Sequence, residues 1–189
     1  MKKIILASKS PRRRELMSLI TEDFVCEVSD VDESAVPQMS PFDLPVYLAK
    51  MKAMDIAKKN KDAIVIGGDT VVILDNTVLT KPKDEKDAFE ILSKLSNKTH
   101  TVVTGCCIVE NENYSAFSVS TQVEFYDLSE REITEYINSG EGKDKAGSYG
   151  IQGKGALFVK KIDGDYFNVV GLPVARLKRE LDKFISKDK

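Results

Sequence analysis

Short apolar runs alternate along this chain with stretches in which apolar residues recur every three or four positions, and that alternation predicts an α/β protein. KIILA reads as a short apolar strand. Ser10 then suits an N-cap and Pro11 the first helical position, with Leu16, Leu19 and Ile20 at helical spacing and Arg13 at the upstream end of their stripe. FVCEVSDV predicts a second strand ending in the acidic cluster Asp30, Asp32 and Glu33, and Ser40-Pro41 predicts the start of a long helix reaching Lys59. The most apolar strand region is AIVIGG-DT-VVIL, and Asp75-Asn76 predicts a turn back onto TVLT. Asp84 begins a helix whose Ala88, Ile91, Leu92 and Leu95 share one face. THTVVTGCCIVE and YSAFSVSTQVEFY predict an antiparallel pair around Asn111–Asn113, and Ser129 with Glu132 is a capping-box signature. SGEGKDKAGSYGIQGKG has no periodicity and reads as a polar, Gly-rich loop. ALFVKKIDGDYFNVVG predicts a hairpin turning near Asp163-Gly164, and an amphipathic helix follows Pro173.

At 189 residues the chain can bury a substantial core as one domain or two small lobes. Its 28 basic and 30 acidic residues give a formal net charge of -2, which disfavours general nucleic-acid binding and makes any basic site a local one. The 3 cysteines, Cys26, Cys106 and Cys107, offer neither a disulfide framework nor zinc spacing. Each lies in an apolar run, so buried, reduced thiols are expected. The apolar run after Lys2 and Lys3 is too short for a signal-peptide core, and no run is long enough to span a bilayer. A soluble cytoplasmic protein is the expectation.

SPRRREL places arginines where a helix dipole is already positive, at a cost of about 0.3–1 kcal/mol each if exposed. They either bend into solvent or form an anion site, in which the hydroxyls of Ser8 and Ser10, free N–H groups after Ser10 and guanidinium forks converge on a phosphate. Successive helical residues point about 100° apart, so Arg12 and Arg13 are the better ligands and Arg14 is expected in solvent. Asp69 sits inside an apolar strand region, where a carboxylate needs a turn role, a partner or a metal. Glu33 and Asp69 at strand ends could together hold Mg²⁺, a hard cation with a preference for oxygen. Lys81, between Thr80 and Pro82, is either a surface lysine or a point charge for a phosphoryl group. A Walker A loop would need Gly at 148 and Ser or Thr at 155, where the chain has Ser148 and Gly155. The Gly-rich loop carries one amide, Gln152, whose paired donor and acceptor suit a nucleobase edge.

LASKSPRRREL, GGDTVV, TKP and DKAGSYGIQGKGALFVKKIDGDYFNVVGLP, in that order, resemble the Maf family of nucleoside triphosphate pyrophosphatases from about Ile4 to Pro173. The resemblance implies a single Maf-like domain over residues 1–189, with a mixed α/β sheet and two lobes flanking a central cleft, similar to the inosine triphosphate pyrophosphatases. It implies a cytoplasmic enzyme, commonly a homodimer, using Mg²⁺ or Mn²⁺ to release pyrophosphate from a nucleoside triphosphate. By motif, Asp69 matches the proton acceptor, Glu33 a metal-site glutamate and Lys81 the cleft lysine. Lys52 and Lys145 match further basic positions near the phosphates. Arg12, Thr70 and Gln152 match the combination of the dTTP/UTP branch.

The mechanism so implied is in-line attack of water on the α-phosphorus, with Asp69 orienting or deprotonating the water and Lys81 and Arg13 stabilising the departing pyrophosphate. The arginines would be disfavoured in the empty protein and favoured once the polyanion binds. The alternative is a nucleotide-sensing regulator of cell division that binds without turnover. A nucleic-acid or membrane partner is not expected.

Overall fold

The computed structural model describes residues 2–33 and 35–186. Its elements, in chain order, are β1 (Lys3–Ala7), α1 (Pro11–Ser18), β2 (Val25–Glu27), α2 (Leu44–Lys59), β3 (Ala63–Leu74), β4 (Thr77–Leu79), α3 (Glu85–Leu95), β5 (Thr99–Glu110), β6 (Asn113–Phe125), α4 (Glu130–Asn138), β7 (Val159–Asp163), α5 (Tyr166–Val170) and α6 (Val174–Ser186). The strands form a seven-stranded sheet in the order β2-β1-β3-β5-β6-β7, with β4 paired to β3. β1 is parallel to β2 and β3, whereas β4 and β7 are antiparallel to β3 and β6, so the sheet is mixed as expected. The chain divides into two compact units, Met1–Asp69 with Thr104–Val119 and Gly171–Lys189, and Thr70–Val103 with Ser120–Val170. Among the described residues, no helix is long and apolar enough to cross a membrane.

In the first unit, Ile5, Leu6 and Ala7 are buried, as a strand with parallel neighbours on both sides requires. The register pairs Ala7 with Gly67, so Ser8 leaves β1 at the level of Gly68. α2 buries Leu48, Ala49, Lys52, Ala53, Ile56 and Ala57 along one stripe, and its alanines and Ile56 pack against Ile5, Ala7, Val65, Cys107 and Val109. A Cβ at Gly67 would stand 2.1 Å from the Ala49 carbonyl oxygen, so only glycine lets the helix backbone rest on this strand.

Three expectations need correction here. Ser40-Pro41 begins a turn, with the Ser40 hydroxyl accepting from the Phe42 N–H at 3.3 Å, and α2 starts at Leu44. α1 ends at Ser18 because the N–H groups of Leu19 and Ile20 bond back three residues, to Leu16 and Met17. Leu19 consequently turns out to 65% exposure, and the buried residues of α1 are Leu16 and Met17. Finally, β2 is a short edge strand on which Cys26 is exposed, whereas Cys106 and Cys107 are buried as expected.

In the second unit, Asp75 and Asn76 have φ of 49° and 60°, the left-handed pair that closes a two-residue hairpin onto β4. Asp84 caps α3 by accepting the Asp87 N–H at 2.8 Å, and the Ser129–Glu132 capping box of α4 is complete. The rings of His100, Phe125, Tyr149, Phe158 and Tyr136 form a cluster of edge-to-face and tilted contacts in the core. The hairpin expected at Asp163-Gly164 does not form. β7 ends there, and Asp165 accepts the N–H groups of Phe167 at 2.8 Å and Asn168 at 3.3 Å, which nucleates α5. Buried Asn168 then fixes α5 by donating to the Val102 carbonyl and the Thr121 hydroxyl.

Candidate active site

The first unit brings a lysine and two carboxylates together. Lys52 Nζ lies 2.7 Å from Asp69 Oδ1 and 3.1 Å from Glu33 Oε1. The Lys52 and Asp69 side chains are only 11% and 13% exposed, whereas Glu33 is 54% exposed. The acid that looked expensive in an apolar strand is therefore offset by a cation from the buried stripe of α2. Arg13 is the next cation along. Its Nε donates to the Gly171 carbonyl at 2.9 Å, and its side chain packs on Gly68, where an added Cβ would come within 3.3 Å of Nε.

Ser8 and Ser10 accept local hydrogen bonds on their hydroxyl oxygens. The Ser10 N–H donates to Ser8 Oγ at 3.2 Å, the Arg13 N–H to Ser10 Oγ at 3.4 Å, and the Arg14 N–H to the Ser10 carbonyl at 3.1 Å. Those three N–H groups belong to the N-cap and its turn, and both hydroxyls keep an O–H donor. Arg12 is half-buried and Arg14 exposed, the latter as its helical phase required.

The second unit carries Thr70, Lys81, Lys145 and Gln152. Thr70 is half-buried, and Lys81 and Gln152 are exposed. The Gly147 N–H donates to the Thr80 carbonyl at 3.3 Å and ties the Gly-rich loop to the Thr80-Lys81-Pro82 segment. Lys145 Nζ donates to Asp144 Oδ1 at 2.8 Å and to the Glu141 carbonyl. A cavity of about 320 Å³ within this unit is lined by Pro82, Lys83, Asp84, Tyr136, Gly142 and Ser148 among others.

Glu141, which sequence reasoning passed over, accepts the Lys154 N–H at 2.8 Å and the Gly155 N–H at 3.3 Å. Its one sequence signal is an acid opening a segment rich in glycine N–H donors. His100 is sealed in the core, bonded to the Tyr149 hydroxyl at 2.8 Å, and burial lowers its pKa to about 4, so it has no part in surface acid–base chemistry. Burial likewise raises the thiols of Cys106 and Cys107 to about 12.

Glu33 and Asp69 already converge on one positive charge, and both offer only oxygen, the donor set of Mg²⁺ or Mn²⁺. Among the described residues no group of three or more His, Cys, Asp and Glu could hold a metal. A divalent ion here would keep waters or ligand oxygens in its remaining positions, as Mg²⁺ usually does. The donors fit such an ion.

The protein is of the mixed α/β class, with Arg13, Glu33, Lys52 and Asp69 in its first unit. Its fold is similar to that of the Staphylococcus aureus Ham1 protein, at a TM-score of 0.55 and 15% identity over 100% of both chains. It is similar also to a HAM1 protein from Coxiella burnetii, at a TM-score of 0.55 and 14% identity over 97% of this chain and 100% of that one. The chain belongs to the Maf family, matching the family described as Maf-like protein over residues 3–184. It is 51% identical over 184 residues to a dTTP/UTP pyrophosphatase of Bacillus cereus (strain G9842), covering 97% of this chain and 96% of that relative. A dTTP/UTP pyrophosphatase of Bacillus cytotoxicus is 50% identical over 186 residues, 98% of this chain and 97% of the relative.

Proposed function

We propose that this chain is a nucleoside triphosphate pyrophosphatase that converts dTTP and UTP to the monophosphate and pyrophosphate. The observation that carries the reading is the Lys52 ammonium shared by Asp69 and Glu33, in a chain half identical to enzymes of that name. Arg13 and Lys52 bind phosphate oxygens, Arg13 through a fork aimed by the Gly171 carbonyl and Lys52 as a point charge. Asp69 orients the attacking water and accepts its proton during in-line attack at the α-phosphorus. Ser8 and Ser10 serve by shaping the turn that carries Arg12 and Arg13. Glu33 and Asp69 are the residues that would hold Mg²⁺ or Mn²⁺, an ion whose chemistry is to polarise phosphate oxygens and neutralise developing charge.

In the second unit, Lys81 and Lys145 take the roles of phosphate cations, with Thr70 beside Asp69 in sequence. Gln152 reads the base. Its amide matches the carbonyl and N3–H edge shared by thymine and uracil, and cytosine reverses that donor pattern. We expect a cytoplasmic homodimer, and analytical ultracentrifugation tests the dimer.

The deciding assay offers dTTP, UTP, CTP, ATP and GTP with Mg²⁺ or Mn²⁺ and identifies the products. Pyrophosphate from dTTP and UTP, with poor use of CTP, is expected. Release of orthophosphate would place the cut at another bond. Binding without turnover would make the chain a sensor.

A further inference from the structure

Gln152 is exposed, and an exposed amide on a Gly-rich loop is a poor reader of bases unless something holds the loop still. The Gly150–Gly155 segment is held by Glu141, together with Tyr136. Glu141 Oε2 accepts the Lys154 N–H at 2.8 Å, and Oε1 accepts the Gly155 N–H at 3.3 Å. The Tyr136 hydroxyl donates to Oε1 at 3.3 Å and accepts the Gly150 N–H at 3.0 Å. Both ends of the loop therefore terminate on the same carboxylate, one directly and one through a phenol. The ends also touch, since a Cβ at Gly155 would lie 2.5 Å from the Gly150 carbonyl oxygen. At Gly153 a Cβ would lie 2.4 Å from Glu141 Oε2, so the glycine lets the backbone close over the carboxylate. The neighbouring Tyr149 is pinned in the core by His100 at 2.8 Å. Exposed Gln152 lies within this closed segment, and Lys145 is bonded to the main-chain oxygen of the same Glu141.

We propose that Glu141 is a positioning residue for base selectivity, fixing the Gly150–Gly155 loop so that Gln152 meets the pyrimidine edge in one orientation. This rests on the reading of Gln152 as the base reader. A carboxylate is specifically required. It presents acceptors on both oxygens, and here both face N–H groups, whereas an amide would set its own NH₂ against one of them.

The test compares kcat/KM for UTP and CTP in the wild type, Gln152→Ala, Glu141→Gln and the double variant, with amide hydrogen exchange over the loop. Gln152→Ala is expected to reduce the UTP-to-CTP ratio by about tenfold or more, the loss of a hydrogen-bonded discrimination. Glu141→Gln is expected to reduce it at least about fivefold, mainly through UTP, and to speed exchange of the 150–155 amides. The double variant should be no less selective than Gln152→Ala, because both changes remove one interaction. Tyr136→Phe deletes only the hydroxyl bridge to Gly150. It should give a smaller fall of about two- to threefold, and it keeps the test available if Glu141 variants fold poorly. If folded Glu141→Gln keeps the wild-type ratio while Gln152→Ala loses it, the positioning role is wrong and the base reading stands. If Gln152→Ala keeps the ratio, both fall.

Discussion

Replacing Lys52 by Met tests the centre of the site, because its ammonium joins Asp69 and Glu33. Lys52 and Asp69 are 11% and 13% exposed and 2.7 Å apart, so deleting one partner strands a largely desolvated carboxylate, at about 3–5 kcal/mol. Glu33, at 54% exposure, passes to water and adds little. Methionine returns some packing on the stripe of Leu48, Ala53 and Ile56. The net loss is then about 3 kcal/mol, equivalent to about 6–12 °C in Tm for a chain of this size. Asp69→Asn should lose only about 1 kcal/mol, since its amide oxygen still accepts from Nζ.

In the double variant nothing charged is stranded, so the combined loss should be about 2 kcal/mol where simple addition gives about 4. Urea titrations with unchanged m-values measure all four proteins. Additivity to within about 0.5 kcal/mol would mean that the pair does not exist in solution. Activity separates from stability in the same set. Asp69→Asn, the more stable single variant, should lose at least about 10³-fold in kcat, and full turnover there would refute its role with the water.

Arg13→Lys removes the Nε bond to Gly171 and the planar fork; kcat/KM for dTTP should fall about 100-fold with a stability change near 1 kcal/mol, and wild-type activity would show that any point charge suffices. His100 binds its proton at 6.5 in the unfolded chain and, because of burial, only at about 4 in the folded one. Between those values the unfolded state holds the extra proton, so stability should fall as pH drops from 6.5 to 4, by up to about 3 kcal/mol. His100→Gln should flatten that limb in urea titrations at pH 7, 5.5 and 4.5, and an unchanged slope would reject the assignment. Cys26 is exposed while burial holds Cys106 and Cys107 at about 12, so one thiol per folded chain should react with an aromatic disulfide at pH 8. Denaturant should release the rest, bringing the total to 3.

Most elements were legible because their signals are local. Caps at Ser10, Asp84 and Ser129 and the Asp75-Asn76 turn act within four residues, and a sequence displays such neighbours directly. The hairpin expected at Asp163-Gly164 did not form because of the residue that follows it, Asp165. Aspartate after Gly164 satisfies a hairpin turn as well as it caps a helix. The choice was made by Asn168 reaching Val102 and Thr121, contacts remote in sequence. The boundary between the two units was illegible because it falls inside β3, β5 and β6, and no change in composition marks it.

Within the site, legibility followed the kind of bond each residue makes. Asp69 was conspicuous as the lone acid of an apolar strand. Lys52 could have been found by arithmetic, since Leu48, Lys52 and Ile56 follow at four-residue steps and put the lysine on a buried stripe. Glu141 left almost no trace, because its carboxylate bonds to main-chain N–H groups, which nearly every residue possesses. Arg13 combines both cases. Its identity and phase were visible, but its partner is the Gly171 carbonyl, far along the chain, which changes the energetics expected of it. A cation at a helix N-terminus is disfavoured by about 0.3–1 kcal/mol, while a hydrogen bond from a charged donor contributes about 1.5–3 kcal/mol. The bond outweighs the dipole even after discounting for half-burial, so Arg13 is stable before any anion arrives. Its orientation is set in advance beside Gly68, and under the proposed reading a triphosphate would meet a guanidinium that is already aimed.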